Sequence, residues 1–248
     1  MSGIAVVLVE PQHPGNVGAA ARAMLTMGLT DLRLVAPADW LDPGAHPQAH
    51  SEAWARASGA LSVIEGARCY PDLAAAIADC GWAVGTSARS RRFDWPLMTP
   101  RQAAHELTRL APEQTVAAVF GRERSGLSNA ELDLCSAHLH IPANPDYSSL
   151  NLAAAVQVVC YEIRMARLDQ GEAPESSGRL LATSDELEGF YGHLKEVLTA
   201  AGFLDPGQPK MLMRRLRRLF NRSALQPTEI HILRGILKAL DPRRRNDH

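Results

Sequence analysis

The sequence predicts an α/β fold, a parallel sheet with helices on both faces, extended at its C-terminal end by a small helical unit. Three observations carry this. Short runs such as IAVVLV (4–9) and TVAAVFG (115–121) are apolar without alternation, as strands are when both faces of their sheet are covered. Stretches with helical patterning separate those runs, the arrangement of parallel strands joined by crossover helices. Beyond a polar stretch, DQGEAPESSG (169–178), the chain turns helical and basic.

Taken in order, strand IAVVLV precedes a Pro/Gly turn and an Ala-rich helix ending near Gly28. LRLVAP (32–37) follows, then a polar, Pro-rich excursion through about residue 50. AAIA (75–78) sits in a helix before the strand WAVGTS (82–87). TPRQAAHELTRL (99–110) is a helix with Thr99 as cap and Pro100 at its first position. TVAAVFG, the short capped helix SNAELDLC (128–135) and the strand AHLHIP (137–142) complete the sheet unit. The boundaries expected are a sheet domain over 1–168, a linker over 169–183 and a basic helical extension over 184–248. Thr183 with Glu186 marks a capping box at the start of the extension.

Composition narrows the function classes. Hydrophobic residues make up 46% of the chain, yet no apolar run approaches the roughly 20 residues of a membrane span. MSGIAVVLVEPQ lacks the basic region of a signal peptide, which predicts a cytoplasmic protein. Cys69, Cys80, Cys135 and Cys160 form no C-x-x-C pair, so buried free thiols are expected rather than a zinc site or disulfides. The nine histidines form no H-E-x-x-H motif, and no metal is expected. The net charge of −1 conceals an asymmetry. Residues 207–248 hold 11 Lys/Arg against 3 Asp/Glu, net +8, and the remaining chain holds 15 against 24, net −9. A basic block of this kind is the footprint of a polyanion. In KMLMRRLRRLFNR (210–222), Lys210, Arg214, Arg217 and Arg218 form one stripe and Leu212, Leu216, Leu219 and Phe220 another.

In an open parallel sheet, ligands bind beyond the carboxyl ends of the strands. Four loops fall there: VEPQHPGNVG (9–18), GTSARS (85–90), FGRERSGLSN (120–129) and IPANPDYSSLN (141–151). All are rich in Gly, Ser, Thr, Asn or Arg and together describe one site. The first is G-x-x-G, neither a dinucleotide fingerprint nor a phosphate loop. Arg22 is the only formal charge between residues 11 and 30, which calls for a distant carboxylate or a ligand. The Arg-Glu-Arg run 122–124 reads either as a salt-bridge network or as part of the site. NPDYSSLNLAAAVQVV (144–159) crowds polar groups in front of a nearly uncharged helix. One hydroxyl, that of Ser148 or Ser149, is expected to cap it, leaving the others for ligands.

The motifs HPGNVGAAARAM, GTSARSR, FGRERSGLSNAE and ANPDYSSLNLAAAVQVVCYEIRMA, in this order, resemble those of SPOUT-class RNA 2′-O-ribose methyltransferases, over residues 4 to about 168. The resemblance is nearest to the bacterial subgroup that methylates C or U at nucleotide 32 of the tRNA anticodon loop. It implies S-adenosylmethionine as cofactor, tRNA as substrate, a homodimer and a C-terminal trefoil knot. It also places Thr86, Ser87 and Ala88, then Gly121, then Ile141, Ser148, Ser149 and Leu150 in three cofactor loops. Asn16, Arg22, Glu123, Ser149 and Asn151 match the family's catalytic positions, and the stripe of Lys210, Arg214, Arg217 and Arg218 is expected on the RNA. Competing expectations are a ribosomal RNA or other tRNA position as target, and an RNA-binding module without catalysis.

Overall fold

A computed structural model describes residues 3–37, 47–87, 97–169, 180–205 and 211–244. In chain order the sheet unit holds β1 (Ile4–Val9), α1 (Pro14–Thr26), β2 (Asp31–Val35), α2 (Pro47–Ala57), α3 (Leu61–Glu65), β3 (Arg68–Tyr70) and α4 (Leu73–Ile77). It continues with β4 (Trp82–Thr86), β5 (Leu97–Met98), α5 (Pro100–Leu110), β6 (Val116–Phe120), α6 (Asn129–Leu134), β7 (Ala137–Leu139) and α7 (Leu152–Asp169). The seven strands lie in the order β3-β2-β1-β6-β4-β7-β5, and every pair is parallel.

Burial explains the unbroken apolar runs. Along β1, Ile4, Val6 and Leu8 enter one core and Ala5, Val7 and Val9 the other, while β6 divides in the same way. The first core is covered by α1, α5 and α7, the second by α4 and α6. At the crossing of α1 with α2, a Cβ on Gly18 would fall on the backbone of Ala53, so only glycine allows the two helices to meet there. The expected capping box forms at Thr183, and the caps expected at Thr99 and at the start of α6 prove to be full capping boxes too, the latter on Ser128.

Three features depart from expectation. The stretch read as a polar excursion contributes α2 from Pro47 onward, and α3, β3 and the two-residue β5 were not anticipated. Cys80, Cys135 and Cys160 are buried, with burial pushing each thiol up to about 12, but Cys69 is exposed because β3 is an edge strand. Arg33 is 1% exposed, held by Asp31, Asp79 and the carbonyl of Ala76, and it ties β2 to α4.

The extension comprises α8 (Ser184–Ala200), α9 (Leu212–Arg222), α10 (Pro227–Leu240) and a 3-10 turn at Pro242–Arg244. Its own small core joins Phe190, Tyr191, Leu194 and Ile230, with Phe220 edge-on to Phe190 at 4.9 Å between ring centroids. It is seated on the sheet unit. The Ser184 N–H donates to the Cys80 carbonyl at 2.8 Å, and Leu181 is buried in the larger core with its N–H on Gln114 Oε1 at 3.0 Å. Of the expected linker, Asp169 closes α7, Leu181 and Ala182 are buried and Leu180 is exposed, while 170–179 lie outside the described residues.

Candidate active site

The end of β4 at Thr86 and Ser87 and the loops after β6 and β7 line a cleft of about 550 Å³, within the usual size range for small-ligand sites. Neighbouring strands bring them together: β4 lies between β6 and β7, so three carboxyl ends open at one place. The deep part is apolar, formed by Phe120, Leu127, Leu139 and Leu152. Thr86 and Ser87 add hydroxyls from one side, and Ser148, Ser149 and Leu150 form an exposed wall opposite. Of the expected cofactor positions, Thr86, Ser87, Gly121, Ile141, Ser148, Ser149 and Leu150 all line this cleft. Ala88 lies outside the described residues.

The β6 loop is folded tightly against itself. A Cβ on Gly121 would land on the backbone of Gly126 and Leu127, and Arg122 bridges to Gly126 across the turn. Arg122 reaches two carboxylates, Glu10 at the end of β1 and Glu131 in the first turn of α6. Its hydrogen bonds to Glu10 and Glu131 raise the Arg122 pKa further, and Arg122 in turn holds Glu10 below the usual carboxylate range. One of the three residues of the Arg-Glu-Arg run, Arg122, is thus in a salt-bridge network, which was one reading of the sequence.

Glu123 turns the other way and accepts from three donors in the β1 loop and α1. These are Gln12 N–H at 3.1 Å, His13 N–H at 3.2 Å and Asn16 Nδ2 at 3.0 Å. Burial pushes the Glu123 carboxyl up, but these donors outweigh it and the group sits below its ordinary value. Asn16 Oδ1 then accepts from Asn151 Nδ2 at 2.9 Å, and Asn151 Oδ1 accepts from Ala153 N–H at 2.9 Å. Chemistry fixes both amide orientations, since a carboxylate only accepts and a backbone N–H only donates. The chain Glu123–Asn16–Asn151 therefore joins the loop after β6, the first turn of α1 and the start of α7, with Glu123 on the cleft lining.

This arrangement corrects the expected cap. Neither Ser148 nor Ser149 caps α7; Asn151 does, with Ala154 N–H also donating to its Oδ1 at 3.3 Å. The helix begins at Leu152, so the two serines lie too far upstream to reach its free N–H groups and are left facing the cleft.

Of the expected catalytic set, the fold unites Asn16, Glu123 and Asn151 and places Ser149 on the cleft wall. Arg22 stands apart: it is exposed, six residues or about 9 Å of helix rise beyond Asn16, and makes no side-chain hydrogen bond or ion pair among the described residues. On the extension, Arg214 is paired with Asp133 of α6 (Nη2 to Oδ1, 2.7 Å), and Arg217 is paired with Glu188 and stacked on Tyr191 at 4.4 Å. The acids that neutralise this stripe come from α6 and α8, which helical spacing within α9 had no means to show. Arg218 is half-buried, Lys210 lies outside the described residues, and Arg215 and Arg222 are the exposed cations of α9. Arg122 and Arg124 also line the cleft and were not assigned from the sequence, although both stand in its Arg-Glu-Arg signal. Among the described residues no cluster of His, Cys, Asp or Glu suits a metal, and no helix is long and apolar enough to cross a membrane.

Comparison with known proteins gives a consistent result. The model of the SpoU rRNA Methylase family matches residues 3–161, and that of the tRNA methyltransferase TrmJ C-terminal domain matches 185–248. The tRNA (cytidine/uridine/adenosine-2′-O-)-methyltransferase TrmJ of Pseudomonas aeruginosa UCBPP-PA14 is 50% identical over 244 residues, covering 94% of this chain and 92% of its own. The tRNA (cytidine/uridine-2′-O-)-methyltransferase TrmJ of Escherichia coli K12 is 47% identical, with 97% and 96% covered. Among solved structures, TrmJ from Z. mobilis ZM4 is similar with a TM-score of 0.80 at 39% identity, covering 95% of this chain and 98% of that one.

Proposed function

Because the chain belongs to the SpoU rRNA methylase family, we propose that it methylates the ribose 2′-OH of C or U in tRNA, at nucleotide 32 of the anticodon loop, with S-adenosylmethionine as donor. The observation that carries this is the cleft at three strand ends, with Glu123 on its lining linked to Asn16 and Asn151. Its apolar floor and ring of hydroxyls fit a nucleoside with a polar tail, and Thr86, Ser87, Gly121, Ile141, Ser148, Ser149 and Leu150 would hold it. When bound, the cofactor supplies an electrophilic methyl group.

The chain's own part is orientation. The Ser149 hydroxyl on the cleft lining and the Asn151 amide linked to Glu123 would position the ribose oxygen, and fixed placement of reactants is worth up to about 7–11 kcal/mol. Arg22 does not serve as the base, because a guanidinium keeps its proton. Exposed on α1 and without a protein partner among the described residues, it is available to hold a substrate phosphate, while the proton leaves to water or phosphate. Lysine retains the charge without the fork, so Arg22→Lys is expected to lose about ten-fold or more in kcat with cofactor affinity intact; near-normal turnover would overturn this role. The exposed Arg215, Arg222, Arg234 and Lys238 of the extension grip the tRNA.

A homodimer is part of the same proposal. α7 buries Leu152, Val156, Val159 and Ile163 but leaves Ala154, Tyr161 and Leu168 exposed, and Leu25 of α1 is exposed beside it. A face of that kind suits a second copy. The test is incubation with labelled S-adenosylmethionine and separate pools of tRNA and ribosomal RNA, followed by nucleotide mapping. Label at nucleotide 32 of tRNA is expected; label in ribosomal RNA or elsewhere in tRNA would replace the assignment.

A further inference from the structure

Among the described residues, three formally charged side chains line the cleft, and two have protein partners. Arg122 is held by Glu10 and Glu131, and Glu123 by Gln12, His13 and Asn16. Arg124 is exposed at the rim and makes no hydrogen bond or ion pair among the described residues. Its backbone is nevertheless fixed, because the neighbours on its N-terminal side are clamped and Gly126 closes the turn onto Arg122. On a pinned backbone the guanidinium can bind an anion without any ordering of the loop, only the side chain's own rotamer freedom being lost.

Resting on the tRNA methyltransferase reading, we infer that Arg124 binds a phosphate of the RNA next to the target ribose, at the outer edge of the cleft. The competing anion is the cofactor's carboxylate. The cofactor carries a sulfonium and an ammonium against that single carboxylate, so it is a net cation and gains nothing overall from a guanidinium at the rim. The RNA backbone gains fully, and the arginine fork matches phosphate oxygens two at a time. The need is local as well. Outside residues 207–248 the chain carries net −9, so a polyanion approaching the sheet unit gains from individual cations that offset this charge. Arg124 thus adds a second RNA-gripping point, distinct from the extension and placed beside the reacting ribose.

The test compares the full-length wild type with Arg124→Ala and Arg124→Lys, using an unmodified tRNA transcript. It reads tRNA Kd and KM over a series of salt concentrations, with S-adenosylmethionine Kd from calorimetry. Because Arg124 is exposed, its variants are expected to melt with the wild type. Arg124→Ala should raise KM and Kd for tRNA about ten-fold at low salt, and flatten the plot of log affinity against log salt by about 0.7–1. Cofactor affinity and saturating kcat should stay within about two-fold, and Arg124→Lys should recover most of the salt slope. Unchanged tRNA affinity and slope would overturn the inference, as would a loss confined to cofactor binding, which would assign Arg124 to the carboxylate. The wild type separates the two levels. If it transfers no methyl to tRNA, the functional reading fails and this inference with it; if it transfers normally while Arg124→Ala keeps its salt slope, only the inference fails.

Discussion

Replacing Asn151 by aspartate keeps the side-chain oxygen that caps α7 and removes the N–H that Asn16 accepts. Replacing it by alanine removes both. Loss of a cap costs about 1 kcal/mol, a melting shift of about 2–4 °C for a chain of this size. Asn151→Ala should therefore melt lower and turn over slowly, whereas Asn151→Asp should melt near the wild type with kcat still reduced by about ten-fold or more. Paired thermal and kinetic measurements check this, and equal melting losses in the two variants would remove the cap from Asn151. Glu123 makes a pH prediction of definite sign. Its folded pKa lies below the ordinary value, so its contribution to stability is complete above about pH 5 and is lost as pH falls through the folded pKa. Glu10 and Glu131 are lowered as well and act in the same direction: Arg122 lowers Glu10, and for Glu131 burial is outweighed by Arg122 and Ser128. Denaturant midpoints should fall from about pH 5 downward in the wild type, and less steeply in Glu123→Gln.

Helix α1 carries Asn16 at one end and Arg22 two turns on, and its seat is set by the contact of Gly18 with Ala53 of α2. One added methyl there meets backbone rather than a side chain that could move. Gly18→Ala should cost about 1–3 kcal/mol through overpacking and also lower kcat, because α1 must tilt away with Asn16 on it. Unfolding curves and single-turnover rates report the two effects, and a variant of wild-type stability would show that the crossing yields easily. Helix α9 teaches the opposite lesson about reading one element alone. Its stripe of arginines is free by helical spacing, but Asp133 and Glu188 arrive from other elements and engage Arg214 and Arg217. Those two arginines fasten the extension and are poorly placed to meet phosphate, leaving the exposed Arg215 and Arg222 for RNA.

At the scale of the whole molecule, two units share one surface, and the last residues before α8 belong to the packing of both. Removing the chain after residue 183 keeps Leu181 in its place and takes away the basic extension. The remaining sheet unit should bind S-adenosylmethionine within a few-fold of the full chain while tRNA binding weakens by about two orders of magnitude or more, since phosphate contacts dominate RNA affinity. Titration of both ligands checks it, and equal tRNA affinity would take the extension out of recognition. Much of this architecture was legible beforehand. Strands buried on both faces must be apolar throughout, and a capping hydroxyl followed by a proline or, three residues on, by a glutamate announces a helix start, so β1, β4, β6, α5, α6 and the start of α8 could be read locally. The short β3 and β5 could not, because two or three residues carry no periodicity. The four site loops were visible as polar interruptions after strands, but their partnerships were not. That Glu123 meets residues 107 to 111 positions earlier in the chain, that Asn151 rather than a serine caps α7, and that Arg122 is paired while Arg124 has no partner among the described residues all depend on strand order. Sequence determined which segments are buried and which polar groups are left at their ends, because burial and capping are local demands. Tertiary structure alone decided which of those groups meet, because hydrogen bonds and ion pairs act over about 3 Å between residues that the chain holds far apart.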